Sequence, residues 1–527
     1  MKKYLFFLTC MAFFACNLPH SKNNQCCVDS TLKSQFVQLR GNEFQINDTP
    51  FFSIMLNYVL DYRYINDTFV LSPHKHYENK RIGELQTIAE INERFRAHFE
   101  YIREMGFNTV RLCFDRVGGS NFYQADGKKI FVQTDYNAIL RALDTVVNIA
   151  RENDLKIMLL IREPIDNKEM EDFTVKILQH FCAEPTIFAY DFINEPLYFD
   201  PNTKRGKEDV VAIVDDWRTL MKRYAPHQLL TIGFAEPLEV FRWDPQLLDV
   251  DFVSFHTYHP LRVLNEMYWY STYVNKPFMI GETGLPADND SIPYEHQRQF
   301  MKMSYEFARD CGAIGYGWWE FQETEQGDFN ARHTGLLNKN DSVITKKNKY
   351  IIHGMPKPAV AEIAHFANYE PQEKQRPVNY HDMLGYSNFL IRGSVINGDT
   401  HKPVEGAVIR GWNKYWTVGV NTFSDSLGNF TLFGNDKCVR FKVSAPGMNA
   451  VYFEYNSLKY TATEFAYTHI DSVPNRTLEY QNISYKPFLD TIANMVFVFN
   501  PDLFSNAQFE TSIAPVVLKP VLVKRGK

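Results

Sequence analysis

Ile187-Phe188-Ala189-Tyr190-Asp191-Phe192-Ile193-Asn194-Glu195-Pro196 is an almost unbroken apolar run that ends on a carboxylate. A second run, Pro277-Phe278-Met279-Ile280-Gly281-Glu282-Thr283-Gly284, ends the same way. Short apolar runs of this kind read as strands buried on both faces, so Glu195 and Glu282 each stand at a strand's carboxyl end. In a parallel α/β barrel that end carries the chemistry.

Working outward, strands and helices alternate. The strands are read at Phe52–Tyr58, Thr109–Phe114, Lys156–Ile161, Ile187–Ile193, Leu229–Gly233, Phe252–His256, Phe278–Gly281 and Ile314–Trp318. Helices are expected over Ile88–Met105, Asp135–Asn153, Lys168–Phe181, Glu208–Tyr224, Val263–Tyr273 and Tyr294–Asp310, with a last one over Pro358–Ala367. Eight strands alternating with helices predict a (β/α)8 barrel over residues 38–368. At its start, Glu43 to Phe52 alternates around Asn47-Asp48 and reads as a β-hairpin leading into the first strand. The insertion Asp61 to Arg81, rich in Tyr and His, follows the first strand and is expected over the active face.

Beyond Asn368 the character changes. Residues 369–387 are polar, carry Pro371 and Pro377, and read as a linker. Residues 388–527 begin with short β-runs at Phe389–Val395, Gly406–Trp412, Asn429–Phe433 and Val439–Ala445, separated by turns such as Asn397-Gly398-Asp399. They predict a small β-sandwich, expected to serve as a spacer or docking module. After about Tyr455 no pattern places the chain.

The amino terminus reads as a targeting segment. Lys2 and Lys3 precede an apolar stretch, Tyr4 to Ala15, too short to span a bilayer. Phe13-Phe14-Ala15-Cys16 resembles a bacterial lipobox, which implies a signal over residues 1–16, acylation at Cys16 and a tether over 17–37. The expectation is an exported outer-membrane or periplasmic lipoprotein, held to the membrane by lipid alone. The net charge of −6, with basic residues scattered along the chain, excludes a nucleic-acid footprint. None of the eight cysteines falls in a CxxC spacing, so no metal is expected. Cys113, Cys182 and Cys311 read as small buried hydrophobes, with no disulfide framework.

Two matched glutamates suit glycoside cleavage, in which one carboxyl protonates the leaving oxygen and the other serves as nucleophile or base. Asn194 stands where an amide can hold a sugar hydroxyl beside the acid. The two carboxyls must differ in pKa, which calls for distinct surroundings. Glu163 and Glu236 also follow strands and are candidate substrate contacts, whereas Glu184 falls before its strand.

Asn108-Thr109-Val110-Arg111, Asn194-Glu195-Pro196, His256-Thr257-Tyr258, Gly281-Glu282-Thr283-Gly284 and Gly317-Trp318-Trp319 occur in the order of a clan A glycoside hydrolase. From Gln38 to Phe366 the chain resembles glycoside hydrolase family 5 most. The resemblance implies Glu195 as acid/base and Glu282 as nucleophile, with Arg111 and Tyr258 as charge-assisted partners of the nucleophile. It also implies His256 beside the acid/base, and Trp318 or Trp319 as the aromatic floor. The segment Ile391 through Phe430 resembles the carboxypeptidase-regulatory-like β-sandwich.

The resemblance implies a retaining mechanism without cofactor, acting on a polysaccharide or oligosaccharide of β-mannan or β-glucan type. The alternatives are an exo-acting furanosidase and a non-catalytic surface glycan-binding lipoprotein. Leu160-Ile161-Arg162-Glu163-Pro164 lacks the histidine that many family cellulases carry after the third strand. Oligomeric state and linkage are not written in the motifs.

Overall fold

A computed structural model gives the architecture. It describes residues 30–66, 68–114, 122–123, 129–130, 136–161, 165–260, 262–325, 329–377, 389–413, 419–434, 438–454, 460–461 and 509–523. The lipobox with Cys16 and the Arg162-Glu163-Pro164 corner lie outside these residues.

Eight parallel strands close a barrel: β1 (Ser53–Ile65), β2 (Thr109–Phe114), β3 (Lys156–Leu160), β4 (Ile187–Asn194), β5 (Leu229–Phe234), β6 (Val253–His256), β7 (Phe278–Glu282) and β8 (Gly315–Trp318). Each pairs with its neighbour in order, and β8 returns to β1 through Gly315↔Ser53 to Trp318↔Leu56. The hairpin at Glu43–Ile46 and Thr49–Phe51, extended by Gln38–Arg40, turns on Asn47 and Asp48, both at positive φ. It covers the amino-terminal end of the barrel, where Phe44 packs with inward-facing Met55, Met158, Phe188, Phe252 and Met279.

The helices form because their apolar residues recur at helical spacing. In α1 (Ile88–Glu104), Ile91, Phe95, Phe99 and Ile102 face the barrel, and Thr87 with Glu90 closes a capping box at the start. In α2 (Tyr136–Glu152) the buried stripe is Ile139, Leu143, Val146, Val147 and Ala150. The others are α3 (Lys168–His180), α4 (Lys207–Tyr224), α5 (Val263–Tyr273), α6 (Tyr294–Asp310) and α7 (Val360–Phe366). Among the described residues no helix is long and apolar enough to cross a membrane.

Between β5 and β6 the connection carries only a 3-10 turn, Pro237–Phe241. The C-terminal sandwich packs there. Its sheets comprise Phe389–Asn397 with Asn429–Gly434, and Val408–Asn413 flanked by Gly419–Phe423 and Cys438–Ser444, which Val451–Glu454 continues. Ile391, Val395, Ile409, Phe430, Leu432, Phe441 and Val443 fill its core. Beyond the reach of the sequence patterns, Phe509–Ser512 and Val516–Leu518 return to pair parallel with Phe389–Asn397.

The expected spacer is in fact seated on the barrel. Val408 joins the barrel's hydrophobic core, Trp269 donates to Gly406 O at 2.8 Å, and its ring stacks on Phe423. The described part of the linker is also tied down, with Tyr369 donating to Asp310 at 2.8 Å and Lys374 to Thr272 at 2.9 Å.

Cysteine use departs from the sequence reading at one position. Cys113 and Cys311 are buried free thiols, as is Cys438. Cys182, only half-buried beyond the end of α3, is disulfide-bonded.

At the seam between the two domains, Lys207 Nζ donates to Asp244 Oδ2 at 2.7 Å, Ser444 Oγ at 3.0 Å and Met448 O at 2.5 Å. Gly447 N also donates to Asp244 at 2.8 Å. Both charges are buried, so removing one strands the other in low dielectric. Lys207→Ala is expected to cost about 3–5 kcal/mol in denaturant unfolding. Lys207→Met with Asp244→Leu should recover most of that loss.

Candidate active site

The mouth of the barrel is organised by Arg111, the inward residue of β2, which is completely buried. Its Nε and Nη2 donate to Asp191 Oδ2 at 3.0 and 2.7 Å, and Nη2 also reaches Asn194 Oδ1 at 2.8 Å. Its Nη1 donates to Glu282 Oε1 at 2.5 Å and Asn57 Oδ1 at 3.0 Å. Burial works against the guanidinium's charge, but Cys113, Asp191 and Glu282 around it raise its pKa above the ordinary arginine value. The same burial pushes the Cys113 thiol up to about 12.

Glu282 closes β7 with donors on both oxygens, Arg111 on Oε1 and the Tyr258 hydroxyl on Oε2. Burial, reinforced by the carboxylate beside it, lifts the Tyr258 phenol well above its usual range, so it stays a donor. Glu195 follows β4 with φ 43 and ψ 67, left-handed backbone that costs a non-glycine residue free energy. Its N–H donates to Gly233 O at 2.6 Å. Just before it the β4–β5 register shifts between Asp191 and Asn194, an irregularity that lets both turn toward Arg111.

His256 ends β6 between the two glutamates. Its Nδ1 lies 3.0 Å from Glu195 Oε1 and 3.5 Å from Glu282 Oε1, within reach of both carboxyl groups. Room for the imidazole comes from glycine: a Cβ at Gly233 would sit 2.9 Å from His256 Nε2, and one at Gly281 would overlap Ser254 Oγ. One atom each from Glu195, His256 and Glu282 lie within 4.8 Å of one another. These donors suit a cation in number, yet Arg111 already supplies positive charge to Glu282.

The tandem tryptophans separate. Trp319 is half-buried with Val59, Cys113 and Leu160, the inward residues at the ends of β1 to β3, and so lines the mouth. Trp318 does not. It is 0% exposed, packs on Phe300 of α6 and donates to Thr334 O at 3.1 Å, which corrects its inclusion among the substrate contacts. Strand alternation forces the split, because Gly317 before Trp318 faces the axis.

Several residues at the mouth escaped sequence reasoning. Asp191 also accepts from Gly233 N at 2.9 Å, and Asn57 ties β1 to Gly281 O and Trp318 O at 2.9 and 3.0 Å. Their signal was a polar residue inside an apolar strand. The Asp61–Arg81 insertion begins as a hairpin, with β1 running on to pair with Thr68–Pro73. It then folds back so that Tyr77 donates to Glu320 Oε2 at 2.7 Å, just past β8. Burial pushes the Glu320 carboxyl up to about 8, against the Tyr77 bond and with the help of Glu282's charge. Glu236 is buried and accepts from Tyr198 at 2.8 Å and from Arg262 at 3.3 Å.

A closed parallel barrel whose two strand-end glutamates converge around a histidine has the equipment of a glycosidase, and the chain is one. Residues 84–325, which hold both glutamates, match the model of the family described as cellulase (glycosyl hydrolase family 5), so this chain carries a domain of that family. Similar solved structures include the endo-1,4-β-mannanase of Rhizomucor miehei, 16% identical over 54% of this chain and 90% of that one, TM-score 0.39. Another is the exo-β-1,4-mannosidase of Opitutaceae bacterium strain TAV5, 16% identical over 65% and 62%, TM-score 0.44. A third is the family 1 β-glucosidase of Thermotoga maritima, 10% identical over 61% and 98%, TM-score 0.43. No curated protein matches the chain.

The two tryptophans give contrasting expectations. Trp318→Ala should lower stability by about 3–5 kcal/mol, read by denaturant titration. Trp319→Ala should leave the fold intact and, because a ring stacked on a sugar contributes about 0.5–1.5 kcal/mol, raise KM roughly 2- to 12-fold.

Proposed function

We propose that the chain cleaves β-linked polysaccharide or oligosaccharide by double displacement with retention, with Glu195 as acid/base and Glu282 as nucleophile. One observation carries the reading: one oxygen of Glu195 and one of Glu282 lie within 4.8 Å of each other, with His256 Nδ1 within reach of both. A retaining pair stands about 5–5.5 Å apart, whereas an inverting pair needs about 6.5–9.5 Å to admit a water.

In the first step a Glu282 oxygen bonds to the anomeric carbon as the glycosidic C–O bond breaks. The Glu195 carboxyl gives its proton to the departing oxygen. Arg111 keeps its bond to Glu282 Oε1 throughout, fixing the carboxylate's orientation. In the second step Glu195 takes a proton from water, the water oxygen bonds to the anomeric carbon, and the ester to Glu282 breaks. Asn194 and Trp319 hold the sugar. His256, within reach of both carboxylates, steadies Glu195 in both steps.

The substrate class we favour is a β-mannan or β-glucan backbone, on the strength of the sequence motifs. We also propose export as a lipoprotein through Cys16, which the disulfide at Cys182 supports, since such bonds persist outside the reducing cytosol.

The role assignment is tested with azide. Glu282→Ala opens a gap beside the anomeric carbon, and azide should restore turnover of an activated β-glycoside with inverted configuration. Glu195→Ala should give the retained glycosyl azide. Proton NMR of the products distinguishes the two, and the reverse pattern would exchange the roles. Glycan binding without turnover by the wild-type protein would overturn the reading altogether. Because the counter-charge at Glu282 is Arg111, EDTA should leave the rate unchanged, and strong inhibition would show that a cation occupies the Glu195–His256–Glu282 group.

A further inference from the structure

The 3-10 turn Pro237–Phe241 carries a carboxylate that the double displacement does not use. Glu239 is 1% exposed, and its Oε1 accepts from the backbone N–H of Leu197 at 2.9 Å and of Ala235 at 3.2 Å. The first of these bonds is placed at a critical point. Glu195 holds a strained backbone, its own N–H is engaged by Gly233 O, and Pro196 has none. Leu197 therefore offers the first N–H beyond Glu195 by which the turn can be gripped from outside.

The chemistry of Glu239 fits a neutral grip. Its Oε2 is buried and has no hydrogen-bond partner among the described residues. Burial pushes the carboxyl up to about 8, against its two N–H donors and Arg242, with Glu195 adding to the rise. One oxygen accepts two N–H groups and the other meets no donor among the described residues, an arrangement that glutamine reproduces in shape and in the two bonds accepted.

The sandwich backs this turn. Ser444 Oγ lies 3.5 Å from Val240 O, and Lys442 Nζ stands 5.4 Å from the centre of the Phe241 ring. We infer that Glu239 is a positioning residue for Glu195, gripping the strained turn after β4 from a support that the C-terminal sandwich braces. The inference rests on Glu195 being the acid/base.

Leaving-group dependence tests it. An acid/base out of position slows glycosides whose leaving group needs a proton and spares those whose leaving group departs unaided. The full-length chain and its Glu239→Ala, Glu239→Asp and Glu239→Gln variants would be assayed on 2,4-dinitrophenyl and phenyl β-glycosides of glucose, mannose and their β-1,4-linked disaccharides. The quantity read is the ratio of kcat/KM for phenyl to dinitrophenyl substrate, which does not depend on the fraction of molecules folded. That ratio should fall at least tenfold in Glu239→Ala and Glu239→Asp and return toward the wild-type value in Glu239→Gln. An unchanged ratio in Glu239→Ala, with both rates reduced together, would overturn the inference and leave Glu239 a structural residue. A Gln variant as impaired as Ala would overturn it as well. If the wild-type chain cleaves both substrates but Glu195→Ala shows no fall in the ratio, the failure lies in the assignment of Glu195. No turnover of either substrate by the wild type would overturn the glycosidase reading and this inference with it.

Discussion

The guanidinium of Arg111 is the interaction on which the mouth of this barrel depends. A fully buried cation is tolerable only where anions and oriented oxygens surround it, and Asp191, Glu282, Asn57 and Asn194 supply both. The planar fork fixes directions as well as charge, so four strands arrive in one relative position. Lysine would keep the charge and lose the geometry. The arrangement also accounts for polar residues buried in otherwise apolar strands: they are satisfied by one another and by the backbone of neighbouring strands.

Around that centre the barrel departs from regular alternation at one place. The β5–β6 connection has a 3-10 turn where a helix would cover the strands, and the sandwich rests on it. The C-terminal domain is therefore part of the barrel's outer layer on that side. Trp269, stacked on Phe423 and bonded to Gly406, has the environment of an intradomain core residue.

Much of this was legible in the sequence because period and punctuation are local. The apolar runs ending in Glu195 and Glu282 placed those glutamates on strand ends, and the alternation of strand and helix gave the barrel. The order of motifs named the family. What escaped depends on partners distant in sequence. Glu239 looks like any surface glutamate until Leu197 is brought beside it, and Tyr77 reads as loop until it meets Glu320. Trp318 and Trp319 could not be separated because one residue of register decides which faces the axis. The seating of the sandwich was hidden because its contact residues, Gly406 and Phe423, serve equally well in an isolated sheet.

The return of the chain at its far end bears on how the protein is made. Among the described residues Phe389–Asn397 gains its parallel partners from Phe509–Ser512 and Val516–Leu518, so that edge of the strand lacks them during synthesis of the roughly 120 residues between Asn397 and Leu518. At about 5–20 residues per second that interval lasts about 6–24 s. For that time a nascent barrel stands beside an unpaired strand edge, the feature that recruits stray strands from other chains. Slow decoding across this stretch would lengthen the exposure, and a folding helper that covers a bare strand edge would act here.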